Sequence, residues 1–394
     1  MLRKLPGAGW VVAAVLAVAA AGMGVAAAAG TLSAGAGNSY VGCVAPKSGA
    51  VTIVSSASQC PKGDSVVMLA GAQVPQKVTV DCPGQSIQAA IDAAPVNLPL
   101  TVTITGTCTQ NVTIDRNDVT LQAPIGPGPG AGITAKDSGK PVIEVGGTGI
   151  TLNNLTLTGG STGLRLDFGA TVTSSTGLTI TGSTGNGVGL SGADLDMFYA
   201  TISNAGSSGV AASSGSVAVL NSVTITGSAH DGVFARDGST VIIGGSNDPA
   251  AGGPSVIDGN GIGVVAQGHA TVSISTTQVE KNTGVAGLVS KDGSQLTVQD
   301  GSLIEDNSAG DGVIISGGSM ATFQGTNTIS GNEGNGVSVH DVSVVAFGEP
   351  DTNTITGNGG DGVFCASPEA MQTAAPGTIT GNAGPDQDNC PTGS

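Results

Sequence analysis

The chain has 394 residues, of which 66 are glycine and 18 are proline; 39% are hydrophobic and only 2% are aromatic. This composition excludes a disordered or collagen-like chain and leaves enough aliphatic residues for a large core. The 28 acidic residues outnumber the 12 basic ones, and the formal net charge is −16. Because such an acidic surface repels nucleic acid and anionic lipid, we expect neither as a partner.

The N-terminal segment has the pattern of a secretory signal. Arg3 and Lys4 precede an apolar stretch over residues 11–21, and three alanines at 27–29 provide small residues for cleavage. A membrane anchor is the alternative, but the apolar run is short and is followed by glycines. We therefore predict a signal peptide over 1–29 and a secreted or cell-envelope protein with no membrane insertion after its removal. A small two-cysteine module with its linker over 30–77, a main domain over 78–390 and a tail over 391–394 complete the predicted organisation.

The six cysteines all lie outside the middle of the chain. An even number in an exported protein predicts disulfides, and since no Cys-x-x-Cys pair occurs, a zinc or dithiol redox site is poorly supported. Their grouping favours sequential pairing among the fifteen connectivities that six cysteines allow. The expected pairs are Cys43–Cys60, Cys82–Cys108 and Cys365–Cys390.

A Gly-Val or Gly-Leu step recurs through the middle of the chain, at intervals typical of a solenoid. It begins nine repeats, at Gly163, Gly187, Gly209, Gly232, Gly263, Gly287, Gly312, Gly336 and Gly362. The one long interval contains an insertion over residues 244–254, whose composition suits a surface loop.

Each repeat contains three short segments of alternating hydrophobicity, separated by turn residues, and none has helical periodicity. Three strands per coil, parallel from coil to coil, predict an all-β fold, a right-handed parallel β-helix. Residues 85–95 form the exception, with Ser86 as a helix cap and a closing proline. This short helix is expected to cover the N-terminal end of the solenoid.

An asparagine follows the third strand in six successive coils. An amide in this position tolerates a left-handed turn and can bond to the same amide one coil away, so we predict an asparagine ladder. Metal binding by this row is the weaker alternative, because neutral amides are poor ligands. The row comprises Asn260, Asn282, Asn307, Asn332, Asn358 and Asn382. Phe323 and Phe347 occupy equivalent positions on neighbouring coils and are expected to stack.

Residues 81–92, 102–108, 111–114 and 119–121, together with the Asn-x-x-Gly-Asp/Asn-Gly-Val repeats, resemble the pectin-lyase-like superfamily of right-handed β-helix proteins. The resemblance implies the fold but no particular activity, because the superfamily includes lyases, hydrolases, epimerases and adhesins. The Arg-x-Pro-x-x-Arg, Gly-His-Gly and Asp-Pro-His motifs of its enzymes do not occur here. Residues 40–63 separately resemble a two-cysteine module of bacterial exported proteins.

Three further sets of residues are candidate sites. Asp311, Asn335 and Asp361 precede the first strand of neighbouring coils, and their side chains would suit calcium. We favour the interpretation that they are turn residues in Asx geometry. Apart from this calcium, we expect no cofactor. A charged row after that strand contains Arg236-Asp237, Lys291-Asp292 and His340-Asp341 and is interpreted as a solvated edge. The outward positions of four coils form an apolar strip, predicted to contact a glycan or a peptide with Arg236 and Lys291 beside it: Phe234, Val265, Val289 and Ile314. Alternatively the strip is ordinary strand filler, or is covered by the 244–254 loop or the N-terminal module.

These features favour a secreted, non-catalytic β-helix protein with a structural role or a role in binding a glycan or a cell-surface partner. A polysaccharide-active enzyme is the alternative, a lyase, hydrolase or epimerase, and an adhesin is a third class. We expect no catalytic residue by motif.

Overall fold

The computed structural model describes residues 39–54, 56–70, 75–124, 131–348, 352–373 and 377–391. The predicted signal peptide and residues 392–394 of the predicted tail lie outside these ranges. The chain divides into two compact units, Met1–Val74 and Pro75–Ser394. Among the described residues no helix has the length and apolar character needed to cross a bilayer.

The first unit contains a three-stranded antiparallel sheet. Its central strand is Ser39–Val44, which pairs with Val51–Val54 on one side and Ser65–Ala70 on the other. A short 3-10 helix, Ala57–Gln59, leads to Cys60, which forms a disulfide with the buried Cys43 of the central strand. The disulfide joins the sheet to the loop between its outer strands, which gives this small unit a covalent constraint.

The second unit is a right-handed parallel β-helix with three sheets, in which each coil contributes one strand to each sheet in turn. All neighbouring strands within these sheets are one coil apart. Sheet 1 consists of Val112–Ile114, Ile143–Val145, Leu164–Leu166, Val188–Ser191, Val210–Ser213, Asp231–Arg236, Ile262–Gln267, Ala286–Lys291, Asp311–Ile315, Val337–Val339, Val363–Cys365 and Gln387–Asp388. Sheet 2 consists of Gln76–Asp81, Leu100–Thr105, Val119–Gln122, Ile150–Asn153, Thr171–Ser174, Asp194–Phe198, Val217–Asn221, Thr240–Gly244, Thr271–Ser275, Gln295–Gln299, Met320–Gln324, Val344–Phe347 and Met371–Thr373. Sheet 3 consists of Thr107–Thr109, Ala131–Thr134, Leu155–Thr158, Thr179–Thr181, Thr201–Ser203, Thr224–Thr226, Ser255–Asp258, Thr277–Glu280, Leu303–Glu305, Thr328–Ser330, Thr354–Thr356 and Thr378–Thr380.

The solenoid begins slightly earlier than the predicted residue 78. Gln76 starts the first strand of sheet 2 and pairs with Leu100, and its backbone N–H donates to the Pro99 carbonyl at 2.8 Å. The predicted N-terminal helix is confirmed as Ile87–Ala93, with the Ser86 hydroxyl accepting a hydrogen bond from the Ala89 N–H. Ile87 and Ile91 are buried, so the helix covers the open end of the core.

The core is a continuous aliphatic column inside the coils, because alternate residues of every strand point inward. Phe323 and Phe347 lie in this column and their rings stack at 5.2 Å between centroids, which confirms the prediction for this pair. The disulfides Cys82–Cys108 and Cys365–Cys390 lie near the two ends of the column. The structure therefore contains all three expected cysteine pairs.

The six asparagines form a ladder between sheet 3 and sheet 1, which is buried except at its last member, Asn382. In the first five of the six, the side-chain N–H₂ donates to the Oδ1 of the next asparagine along the row, at distances from 2.8 to 3.2 Å. Each also donates to a backbone carbonyl of the preceding coil, as Asn332 does to Ile304. The ladder residues do not adopt the left-handed conformation that we expected. The residue before each asparagine does so instead, for example Lys281 with φ 53° and Asp306 with φ 55°.

Candidate ligand-binding groove on sheet 1

Two rows of outward side chains run along the solenoid axis on either side of the repeated glycine. The turn row precedes the glycine and comprises Thr162, Asn186, Ser208, Asp231, Ile262, Ala286, Asp311, Asn335 and Asp361. The strand row follows it two residues later and comprises Arg165, Gly189, Ala211, Phe234, Val265, Val289, Ile314, Ser338 and Phe364. The chain turns at the glycine, where a Cβ on Gly187 would lie 2.5 Å from Ile202 Cγ2 and 2.6 Å from the Gly209 carbonyl oxygen. Only glycine fits there, and the two rows form the walls of a groove.

The predicted apolar strip is present, but most of it is not exposed. Pairing of neighbouring strands places Phe234, Val265, Val289 and Ile314 side by side. Val265 and Val289 are only 3% and 7% exposed, because they pack with Ile262 and Ala286 of the turn row. The expectation of a bare contact strip is therefore wrong for these two valines. The 244–254 loop is not the cover, since it connects sheet 2 to sheet 3.

The groove is open where both rows have small or polar side chains. Around Gly189 and Ala211 it contains a cavity of about 440 Å³, with Arg165 at one end and Phe234 and Arg236 at the other. Thr162, Asn186 and Ser208 line one side, and Ser191 and Ser213 line the other. We call this part of the groove, between Arg165 and Phe234, the open section. Toward the C-terminus the groove is filled by the apolar cluster.

Both arginines of the open section are paired with acidic side chains. Arg165 Nε lies 2.9 Å from Asp167 Oδ1 and 3.6 Å from Glu144 Oε1. Arg236 Nε lies 3.5 Å from Asp237 Oδ2, and its guanidinium lies 5.7 Å from the centre of the Phe234 ring. The other arginine of the solenoid, Arg116, is buried and donates to backbone carbonyls after the N-terminal helix, so its role is structural.

Asp231 is a half-buried carboxylate in the turn row at the Phe234 end of the open section. Burial raises its pKa, while a 3.3 Å hydrogen bond from Ser208 Oγ and the charges of His230 and Lys291 oppose this shift. Lys291 lies two coils beyond Arg236 in the same row, with Gln267 between them. The predicted candidates Arg236 and Lys291 are thus in register, but only Arg236 lines the open section.

The candidate calcium ligands form a ladder of their own. Asp311 Oδ1 accepts a hydrogen bond from the Asn335 backbone N–H at 2.6 Å, and Asn335 Oδ1 accepts one from the Asp361 N–H at 2.7 Å. These bonds link neighbouring coils, whereas the expected Asx geometry would lie within one turn. In the described part of the chain, no group of three or more His, Cys, Asp or Glu side chains is arranged to hold a metal ion.

The aspartates of the predicted charged row have a turn role. Asp237, Asp292 and Asp341 have φ of 54°, 57° and 57°, the left-handed conformation that a short polar side chain tolerates.

Sequence reasoning did not select Thr162, Asn186, Ser208, Gly189 or Ala211 as site residues. The repeat itself contains a signal for this site, because Gly189 and Ala211 are the smallest residues of the strand row.

Comparison with known proteins supports the fold. The family described as right handed beta helix region matches residues 141–303. The comparison with curated proteins finds no match. Among solved structures, the A-module of the Azotobacter vinelandii mannuronan C-5 epimerase AlgE4 is similar with 17% identity and a TM-score of 0.55, covering 77% of this chain and 92% of that one. The A-module of the epimerase AlgE6 from the same organism is similar with 17% identity and a TM-score of 0.53, covering 78% and 94%. At this identity the likeness shows the β-helix fold alone.

Proposed function

We propose that this protein is a secreted, non-catalytic β-helix protein that binds a glycan in the open section of the sheet 1 groove, at the cell envelope. The single observation that carries the proposal is the cavity between Arg165 and Phe234, which is open while the adjoining coils of the groove are filled by the apolar cluster around Val265 and Val289. Concave sites with a few polar groups and a flanking aromatic ring are typical of small-ligand and sugar-unit binding.

The polar side chains of the open section are available to a ligand. Within the described part of the chain, the hydroxyls of Thr162, Ser191 and Ser207 and the Nδ2 of Asn186 have no hydrogen-bond partner in the protein. Phe234 adds a half-buried ring at one end, and Phe168, 83% exposed, lies over Gly192 beside the same coils. Rings and unpaired hydroxyls together suit the two faces of a sugar, one made of C–H groups and one rich in hydroxyls.

Export is supported by the three disulfides, since such bonds persist in oxidising compartments. The cell envelope would then provide the glycan. A groove parallel to the solenoid axis suits an extended chain better than a compact molecule, because consecutive coils present equivalent positions about 4.8 Å apart.

The test is to fill the open section. A Cβ on Gly189 would lie 3.6 Å from Thr162 Cγ2 and 3.8 Å from Asn186 Nδ2, which is ordinary contact, so Gly189→Ile with Ala211→Val should fold normally. The matched control is Thr173→Ile, an exposed outward position on sheet 2. Wild type and control should bind the same glycan-array ligands, and the filled variant should lose them. Equal binding by all three proteins would reject the groove as the site.

A second candidate is a polysaccharide-active enzyme, favoured by one observation: Asp231 is half-buried beside the open section with a raised pKa, as in many general acids. The two similar structures carry the name of an epimerase. Under our proposal the purified protein has no lyase, hydrolase or epimerase activity on uronate polymers. Release of unsaturated uronate, or C-5 inversion that is lost in Asp231→Asn, would establish the enzyme instead.

A further inference from the structure

We infer that the open section recognises a neutral, hydroxyl-rich glycan and excludes polyuronates. This inference rests on the proposed function and names its ligand class. Two arginines in a groove would at first indicate an acidic glycan, because an unpaired guanidinium is well suited to bind a carboxylate. Here both guanidinium groups already contact carboxylates of the protein.

Acidic side chains neutralise the groove. The Nε of Arg165 contacts two carboxylates, Asp167 and Glu144, and the Nε of Arg236 contacts Asp237. Asp231 adds a fourth carboxylate in the turn row. Four carboxylates against two guanidinium groups leave an excess of negative charge in and around the open section.

The rest of the protein does not compensate for this local charge. The formal net charge of the chain is −16. The nearest further cation in the row of Arg236 is Lys291, two coils beyond it. Its charge acts on Asp231, but Asp292 lies directly beside it in the sequence. A polyuronate has one carboxylate on every sugar, so each bound unit adds repulsion within a screening length of about 8–10 Å. A neutral glycan experiences none of it.

The unpaired groups of the open section match hydroxyls. The side chains of Thr162, Ser191 and Ser207 can each donate and accept, and the Asn186 amide can donate. Ser213 Oγ donates to the Leu190 carbonyl, so its lone pairs can accept from a ligand hydroxyl. Sugar hydroxyls have the same double capacity, whereas a carboxylate only accepts hydrogen bonds.

Calorimetric titration of the mature protein tests the inference. The probes are hexasaccharides of β-1,4-linked glucose, mannose and xylose, compared with hexamers of mannuronate and galacturonate at low and high salt. We expect a neutral hexamer to bind at least about tenfold more tightly than either uronate, with affinity insensitive to salt. The filled variant Gly189→Ile with Ala211→Val should lose this binding.

A charge variant tests whether the carboxylates paired with Arg165 are what excludes uronates. Glu144→Gln with Asp167→Asn releases Arg165 and should raise uronate affinity by about tenfold or more in low salt. Asp194→Asn with Asp196→Asn removes two charges from the exposed face of sheet 2 and is the matched control. It should leave uronate affinity nearly unchanged.

The outcomes separate the two claims. Salt-sensitive uronate binding that is tighter than neutral binding, and that disappears in the filled variant, would overturn the neutral class while the groove remains the site. Binding of either class that survives in the filled variant, or no binding of any hexamer to wild type, would overturn the proposed function and this inference with it. An equal effect of the two charge variants would overturn the role assigned to the Arg165 pairing.

Discussion

Replacing Asn332 in the middle of the asparagine ladder should destabilise the solenoid more than replacing Asn382 at its end. Asn332 Oδ1 accepts from the Asn307 backbone N–H at 3.2 Å and from Asn307 Nδ2 at 2.8 Å. Its own Nδ2 donates to the Ile304 carbonyl at 3.1 Å and to Asn358 Oδ1 at 2.9 Å. Asn332→Ala thus removes four hydrogen bonds in a site that is 1% exposed.

The expected loss for Asn332→Ala is about 2–4 kcal/mol, because each buried hydrogen bond contributes roughly 0.5–1.5 kcal/mol and the stranded partners remain desolvated. Asn382 has the two bonds from Asn358 and one to the Ile355 carbonyl, but no further amide beyond it, and it is only half-buried. Asn382→Ala should therefore cost about 1–2 kcal/mol.

Urea unfolding of wild type and both variants, compared at an unchanged m-value, measures the difference. Asn332→Asp provides a second comparison: it keeps the acceptor but loses both donors, and should be destabilised at neutral pH. Equal losses for Asn332→Ala and Asn382→Ala, or a loss below about 0.5 kcal/mol at Asn332, would show that the amides act as separate turns and not as a ladder.

Three further predictions concern the core, the C-terminal end and the groove. Phe323→Ala should lose about 3–5 kcal/mol by removing a buried stacked ring, while Met320→Ala, exposed on the same strand, stays within about 0.5 kcal/mol; similar losses in urea unfolding would contradict this. Changing Cys365 and Cys390 together to Ala should cost about 3 kcal/mol, and a different partner for either cysteine in non-reducing peptide mapping would refute the pairing. Asp231→Asn should raise the unfolding free energy at neutral pH, because burial raises the folded-state pKa of Asp231 and its ionisation above that pKa opposes folding. The gain should vanish below about pH 4, where the carboxyl is protonated in both states; a gain that persists in acid would contradict it.

Sequence reasoning predicted the features that depend on the coil repeat. The β-helix and the Phe323–Phe347 stack follow from periodicity and from the equivalence of positions one coil apart. Such features need only the knowledge that neighbouring coils superimpose.

The features that depend on the shape of one coil could not be predicted in the same way. The turn at the repeated glycine makes Ile262 and Ala286 pack on Val265 and Val289. The alternation of side chains along a strand contains no information about the angle through which the chain turns there. The left-handed residue likewise precedes each ladder asparagine, as at Asp306, because the amide must point into the core to reach its neighbours. The open section depends on the same angle.

The most direct test of the central claim is a crystal structure of the mature protein with a bound neutral hexasaccharide. Our account predicts sugar density along sheet 1 over Gly189 and Ala211, within hydrogen-bond distance of Thr162, Asn186 and Ser207. Density for the hexasaccharide on sheet 2 or sheet 3, with the open section containing only solvent, would contradict it.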